Sequence, residues 1–387
     1  MISQRLLKVI NQKKTLLGIG PMSKNCVDAS IQLSGEYKIP LMLIASRRQI
    51  DSEEFGGGYV NNWNTKTFSE YVKKNDKSKN IILCRDHGGP WQNNLEISQN
   101  FNLRKAMESA KRSYTADIDN NLKVIHIDAS ISKSEKKVSP KNILERTFEL
   151  YEYCYAYAKK KKKEIVFEVG TEEQSGSTNT FEEIEFFLSE ITKFCKKNKL
   201  PNIFFIVLQS GTKVVELRNI GSFDSIVRVE NQLPVEIQII KLIEICKKYN
   251  VNFKEHNADY LSQESLRWHP FLGIQAVNVA PEFGTTETKA ILKLMKQNRN
   301  YDLFDEFSKI CINSKKWKKW LINNSNATEL EKVIISGHYL FSSQEGKKIL
   351  SELDHKLKKK NIDMNKIIIK EIKKNILKYL KNFRLVK

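Results

Sequence analysis

Eight short apolar runs, rich in β-branched residues, recur along the chain: TLLGIG (15–20), PLMLIAS (40–46), NIILCRD (80–86), KVIHIDAS (123–130), EIVFEVG (164–170), NIFFIVLQ (202–209), VNFKEH (251–256) and IQAVNVA (274–280). Most are separated by segments such as TKTFSEYVKKN and TFEEIEFFLSEITKFCKKNK, whose apolar residues recur every three to four positions and predict helices. Apolar runs that are continuous, not alternating, indicate strands buried on both faces, as in a parallel sheet covered by helices. Eight such units close most economically into an α/β fold of the (β/α)8 TIM-barrel type, expected over residues 1–300. A doubly wound open sheet is the competing arrangement, but GIGPMSKN after the first run has no third glycine to make a dinucleotide-binding turn. Beyond residue 300 the buried-strand runs stop. Segments such as DLFDEFSKICINSKKWKKWLIN and MNKIIIKEIKKNILKYLKNF carry apolar helical stripes, predicting a C-terminal helical extension over 301–387 packed on the barrel or on a partner.

The chain has 387 residues and a formal charge of +20. The excess is mostly lysine spread over nearly every helical segment, with no finger spacing, no RNP-like aromatic motif and no compact arginine cluster. This reads as a basic surface that draws in anionic metabolites, and neither nucleic acid nor membrane is expected as a partner. MISQRLLKVINQKK is a short amphipathic helix, and no apolar run approaches the roughly 20 residues of a membrane span. Six cysteines lie far apart with no CxxC pair, which fits a reducing cytoplasm.

In a barrel, chemistry gathers at the C-terminal ends of the strands. The third run ends in Asp86 and His87, the fourth in Asp128 and Ser130, the fifth in Glu168 followed by GTEEQSG, the sixth in Gln209, the seventh in His256 with Asp259 beyond it, and the eighth in Asn278. Any one of these could merely cap the next helix. Capping does not, however, call for Asp-His after one strand, Glu-Gly-Thr-Glu after another and His-Asn-Ala-Asp after a third. His87 and His256 with a carboxylate or amide oxygen are suitable ligands for a divalent metal such as zinc, with manganese or magnesium as alternatives. A metal there would polarise a ketose carbonyl, and Asp86 could move a hydroxyl proton as general acid and base. This is retro-aldol chemistry.

Other candidates are more open. His126 shares the face of Asp128, His269 reads as structural and His355 as a surface residue, while His338 in the extension could reach over the barrel mouth. Arg47 and Arg48, and Arg85 ahead of the Asp-His pair, could bind an anionic substrate; for Arg47 and Arg48, salt bridges to Asp51, Glu53 or Glu54 are the structural alternative. EEFGGGYVNNW (53–63) could close over substrate or be a structural loop.

The blocks RDHGGPW, VIHIDASIS, EVGTEEQSG, KEHNADYL and FGGGYVN resemble those of the tagatose-bisphosphate aldolase accessory-subunit family, GatZ/KbaZ-like, over about residues 15–290. The resemblance implies a class II aldolase-type barrel with a divalent-metal site. Some relatives are non-catalytic partners of an aldolase subunit, and others are 4-epimerases of ketose phosphates. Carried over, Asp86 is the acid/base aspartate, His87 and His256 are metal histidines, and Glu172 is the glutamate of the Gly-Thr-Glu block; Glu172 and Gln209 both qualify as third ligand. The catalytic set expected is thus Asp86, Glu172 and Asp259, with Arg47, Arg48, Arg85, Asp128, Ser130, Gln209 and Asn278 around the substrate. The chain departs from the family's usual pattern at Ile44, where an acidic residue is lost, and at Arg85, where a glycine is usual, so tagatose bisphosphate is not the expected substrate. Two readings follow. One is a metal-dependent ketose-phosphate epimerase or aldolase, and the other an accessory subunit of a separate aldolase; a homo-oligomer is compatible with either.

Overall fold

A computed structural model describes residues 1–133, 138–170, 180–209, 212–220 and 235–387. Its parallel strands β1 (Leu16–Ile19), β2 (Leu41–Ser46), β3 (Ile81–Gly88), β4 (Val124–Asp128), β5 (Val166–Gly170), β6 (Phe205–Leu208), β7 (Asn252–Glu255) and β8 (Ala276–Val279) form a closed ring. β1 pairs with β2 on one side and with β8 on the other, so the open-sheet alternative is excluded and the fold is a (β/α)8 barrel. A short antiparallel hairpin, Lys213–Val215 with Arg218–Ile220, lies between β6 and the helix that precedes β7.

Alternation along the strands sorts side chains between the barrel interior and the helix-facing side. The lower interior is apolar: Leu16, Met42, Ile82, Val124, Phe205 and Ala276 cluster there with Leu6, which comes from the N-terminal helix Ile2–Ile10. That helix is held by Arg5, whose guanidinium donates to the Lys79 carbonyl (3.0 Å) and to Asn80 Oδ1 (2.9 Å). One pleat higher the interior turns polar, with His126 opposite Glu168 in register and Lys254 donating to both oxygens of Glu168 at 2.8 and 3.0 Å. All three are buried. A buried ion pair of this kind does little for stability, but loss of one partner would leave an uncompensated charge.

The C-terminal helices share the barrel's core. In the last one, Met364–Asn382, Ile368, Ile372, Ile376 and Tyr379 form an apolar stripe that packs on the helices Lys24–Tyr37 and Pro281–Gln297. Tyr379 also hydrogen-bonds Glu282 and donates to the Ala258 carbonyl at 3.1 Å, while Lys378 pairs with Glu282 at 2.7 Å. The extension is thereby fastened to the start of the helix that follows β8. Among the described residues no helix is long and apolar enough to cross a membrane.

Candidate active site

The upper ends of β2, β3, β6, β7 and β8 surround a cavity of about 620 Å³ lined by Ser46, Arg48, Asp86, His87, Gln92, Gln209, His256 and Asn278, among others. Two backbone features aim β3 into it. Plain alternation would point Asp86 inward and His87 outward, but the pairing of β3 with β4 slips between Arg85 and Gly88. At the slip His87 adopts φ +42°, a left-handed conformation that few non-glycine residues occupy. Strain of this kind persists only where the surroundings enforce it. Here the His87 backbone N–H donates to His126 Nδ1 at 3.2 Å and its ring Nδ1 meets Asp128 Oδ2 at 2.9 Å. Gly89 then passes so close to β4 that an added Cβ would lie 2.0 Å from the Asp128 carbonyl.

With its Nδ1 committed to Asp128, His87 presents Nε2 to Nε2 of His256 across the cavity, 3.0 Å away. His256 is oriented in turn by the Gln209 amide, 2.8 Å from its Nδ1. Donation from His87 Nδ1 to the Asp128 carboxylate leaves Nε2 free to ligate, the arrangement in which an imidazole holds a divalent cation, and His256 matches it once the Gln209 amide turns its oxygen, in place of its nitrogen, to Nδ1. The residues present therefore fit a metal, with His87 and His256 as nitrogen ligands. Asp128 is well suited to its supporting part. It also accepts from Gln92 Nε2 (2.7 Å), the Ser130 backbone N–H (3.1 Å) and Ser130 Oγ (2.5 Å). Burial favours its neutral form, but the His87 hydrogen bond and the charges of His87 and His126 outweigh this and lower its pKa.

Asp86 stands beside this pair, Oδ2 lying 3.9 Å from His87 Nε2 and Oδ1 3.4 Å from the Asn278 amide nitrogen. Against burial, His87, His126 and Lys254 hold its carboxyl well below the usual carboxylate range. Asp86, His126 and Glu168 each bring a ligand atom to within 4.8 Å of the others, a second arrangement that could hold a cation. Lys254 already occupies both oxygens of Glu168, however, so that group has less to offer a metal than the facing imidazoles above it.

Several expected residues are placed elsewhere. Arg47 is buried in an ion-pair cluster, with Nε donating to Asp51 at 2.8 Å and Nη1 meeting Glu96 at 2.5 Å and the Gly89 carbonyl at 2.8 Å. Arg85, on the outward face of β3, forks onto Asp117 at 2.5 and 2.7 Å and donates to the carbonyls of Ala45 and Ile50. Both clamp loops from behind and neither lines the cavity; Arg48 does. Asp259 touches the cavity, yet its Oδ1 accepts the backbone N–H groups of Ala280 (3.0 Å) and Glu282 (2.8 Å), tying it to the first turn of the helix Pro281–Gln297. Burial raises its pKa to about 7. Glu172 lies outside the described residues. His338 is buried against Gly284 and the Tyr339 ring, not exposed over the mouth. His269 is buried with Nε2 2.6 Å from Glu255, and His355 is exposed on a surface helix. In the 53–63 loop, Phe55, Val60 and Trp63 are buried anchors and Tyr59 lines the cavity. Sequence reasoning missed Gln92, Lys254 and the rim residues Lys319 and Tyr339. Lys254 could have been found, since a lysine inside an apolar strand run calls for a buried acid.

Fold and site together define a (β/α)8 barrel with a histidine–carboxylate centre at the C-terminal ends of its strands. The sequence model of the family described as D-tagatose-1,6-bisphosphate aldolase subunit GatZ/KbaZ-like matches residues 8–197, and the chain is similar to that family over this span. The match takes in Asp86, His87 and Asp128 and ends before His256. No curated protein matches the sequence. Among solved structures, a probable tagatose 6 phosphate kinase from Sinorhizobium meliloti 1021 superposes with a TM-score of 0.76 at 14% identity, covering 95% of this chain and 100% of that one. The fructuronate-tagaturonate epimerase UxaE from Cohnella laeviribosi, in a glycerol complex, gives 0.63 at 10% identity over 96% of this chain and 82% of that one. Fructose-bisphosphate aldolase from Campylobacter jejuni gives 0.57 at 9% identity, covering 100% and 94% respectively. At these identities the likeness is one of fold.

Proposed function

We propose that the chain is a divalent-metal-dependent enzyme acting on a ketose phosphate by retro-aldol and aldol chemistry, as a C4 epimerase or a class II aldolase-like lyase. The observation that carries this reading is the 3.0 Å approach of His87 Nε2 to His256 Nε2 with Asp86 beside them. Zinc suits the two imidazoles best, and manganese or magnesium is the alternative. When bound, the metal supplies Lewis-acid polarisation of the ketose carbonyl. The Asp86 carboxylate takes the proton of the hydroxyl next to the carbon–carbon bond that breaks, and returns it when that bond re-forms. Asn278 steadies Asp86, Asp128 and Gln209 fix the two imidazoles, and Arg48 and Gln92 face the substrate space. A cytoplasmic setting accords with six buried free thiols.

The family's description as an aldolase subunit favours a second reading, in which the chain supports a separate catalytic aldolase. The two are separated by incubating the purified chain alone with ketose phosphates and following C4 epimerisation and aldehyde release. The first reading predicts turnover that Asp86→Asn abolishes and that chelation suppresses. Turnover seen only after a partner aldolase is added, and unaffected by Asp86→Asn, would favour the second.

A further inference from the structure

A second cavity, of about 270 Å³, is enclosed between the helices Lys24–Tyr37 and Pro281–Gln297 and the C-terminal helices Gln344–Lys358 and Met364–Asn382. It shares Met22 and Tyr59 with the barrel cavity as lining residues. One helical face builds its inner wall: Gly284, Glu287, Thr288 and Ile291 recur at three-to-four spacing, and Glu287 and Ile291 line the space. The bare surface of Gly284 seats the His338 ring, since a Cβ there would lie 2.7 Å from the imidazole Cγ. His338 is thereby set one helical turn from Glu287. Phe341, Leu350, Met364 and Ile368 supply the apolar part of the lining.

Two buried groups at this wall are incompletely satisfied. His338 is 1% exposed, yet neither of its ring nitrogens has a hydrogen-bond partner among the described residues. Burial, with Lys319 nearby, lowers its pKa to about 3, so the ring is neutral and offers one donor and one acceptor. The Glu287 carboxyl accepts from Ser23 Oγ and Asn25 Nδ2, but among the described residues no cation pairs with it. Lys24 at the rim is engaged instead with Asp28 at 2.7 Å. Buried acids are ordinarily paired, and buried polar groups ordinarily hydrogen-bonded. A lone buried water needs only about 10–15 Å³, so this cavity has room for a larger occupant. A carboxylate without a counter-charge calls for a cation with N–H donors, and an imidazole with both nitrogens open calls for a group that can donate or accept, which is a hydroxyl. An amino alcohol carries both within a few bonds.

We propose that this second cavity binds a small amino alcohol, with its ammonium on Glu287 and a hydroxyl on His338. The site stands apart from the chemistry proposed for the barrel cavity and is tested without turnover. Saturation-transfer NMR titration of the full chain uses three matched probes: serinol, glycerol, which has a hydroxyl in place of the amine, and isopropylamine, which keeps the amine and lacks the hydroxyls. Wild type is expected to bind serinol saturably, and to bind glycerol and isopropylamine about tenfold or more weakly. Glu287→Gln keeps acceptor and donor groups for Asn25 and Ser23 but cannot carry charge, and it should bind serinol about tenfold or more weakly than wild type. His256→Ala, in the barrel cavity, should bind serinol as wild type does. The proposal is overturned if wild type shows no saturable serinol binding, if glycerol or isopropylamine binds as tightly as serinol, or if Glu287→Gln binds serinol like wild type. Loss of binding in His256→Ala would also overturn it, by placing the ligand in the barrel cavity.

Discussion

Replacing Glu287 with glutamine is expected to stabilise the chain above neutral pH and to change it little in acid. The Glu287 carboxyl is buried on the helix after β8, where Ser23 Oγ and Asn25 Nδ2 donate to it and, among the described residues, no cation pairs with it. Burial outweighs these hydrogen bonds and raises its pKa from 4.5 to about 7. An acid with a raised folded-state pKa holds its proton more tightly folded than unfolded. Its contribution is therefore intact below the unfolded pKa and is lost as pH rises from about 4.5 to about 7. The loss amounts to roughly 3 kcal/mol at pH 8 and roughly 1 kcal/mol at pH 5. Glutamine reproduces the protonated acid, its oxygen accepting from Asn25 and its N–H group donating to Ser23. With an unfolding entropy of about 2.1 cal/mol/K per residue over 387 residues, Glu287→Gln should unfold roughly 4 °C above wild type at pH 8. The gap should narrow steadily toward pH 5. Thermal unfolding of both proteins across this range is the assay, and a difference that is absent at pH 8 or independent of pH would refute the reasoning.

Arg85→Met strands the buried Asp117 carboxylate and should lose about 3–5 kcal/mol in urea denaturation, with Arg85→Met/Asp117→Leu recovering most of it; a variant of wild-type stability would show that the pair is not the clamp described. Asp128→Asn should weaken metal binding by about 10–100-fold in chelator competition while leaving both imidazoles in place, because the amide is a poorer acceptor for the His87 Nδ1–H.

The eight strands were legible because most are short, mainly apolar runs, β7 with its Asn-Phe-Lys-Glu being the weakest, and closure was the economical arrangement for their number. The polar strand ends were legible too, since Asp-His, Asp-Ala-Ser and His-Asn break those runs at corresponding heights. What the residues could not disclose was direction. His87 should face away from Asp86 by alternation, and only the register slip and the left-handed φ turn it inward. The same alternation, applied to Arg85, would have put it on the outward face, where Asp117 waits one helix away. Arg47 was ambiguous because a substrate clamp and a buried salt bridge demand the same residue type. The rim residue Lys319 was hidden by composition: one more lysine in a lysine-rich extension carries no signal until the fold brings it to the cavity, more than two hundred residues from His87 in sequence.

The central claim is that His87 and His256 together hold a divalent metal. Elemental analysis of the purified chain, after equilibration with zinc or manganese and gel filtration, tests it most directly when run beside the His87→Ala/His256→Ala double variant. About one metal ion per wild-type chain is expected, and none retained by a folded double variant. A wild type that emerges metal-free, or a double variant that keeps its metal, would contradict it.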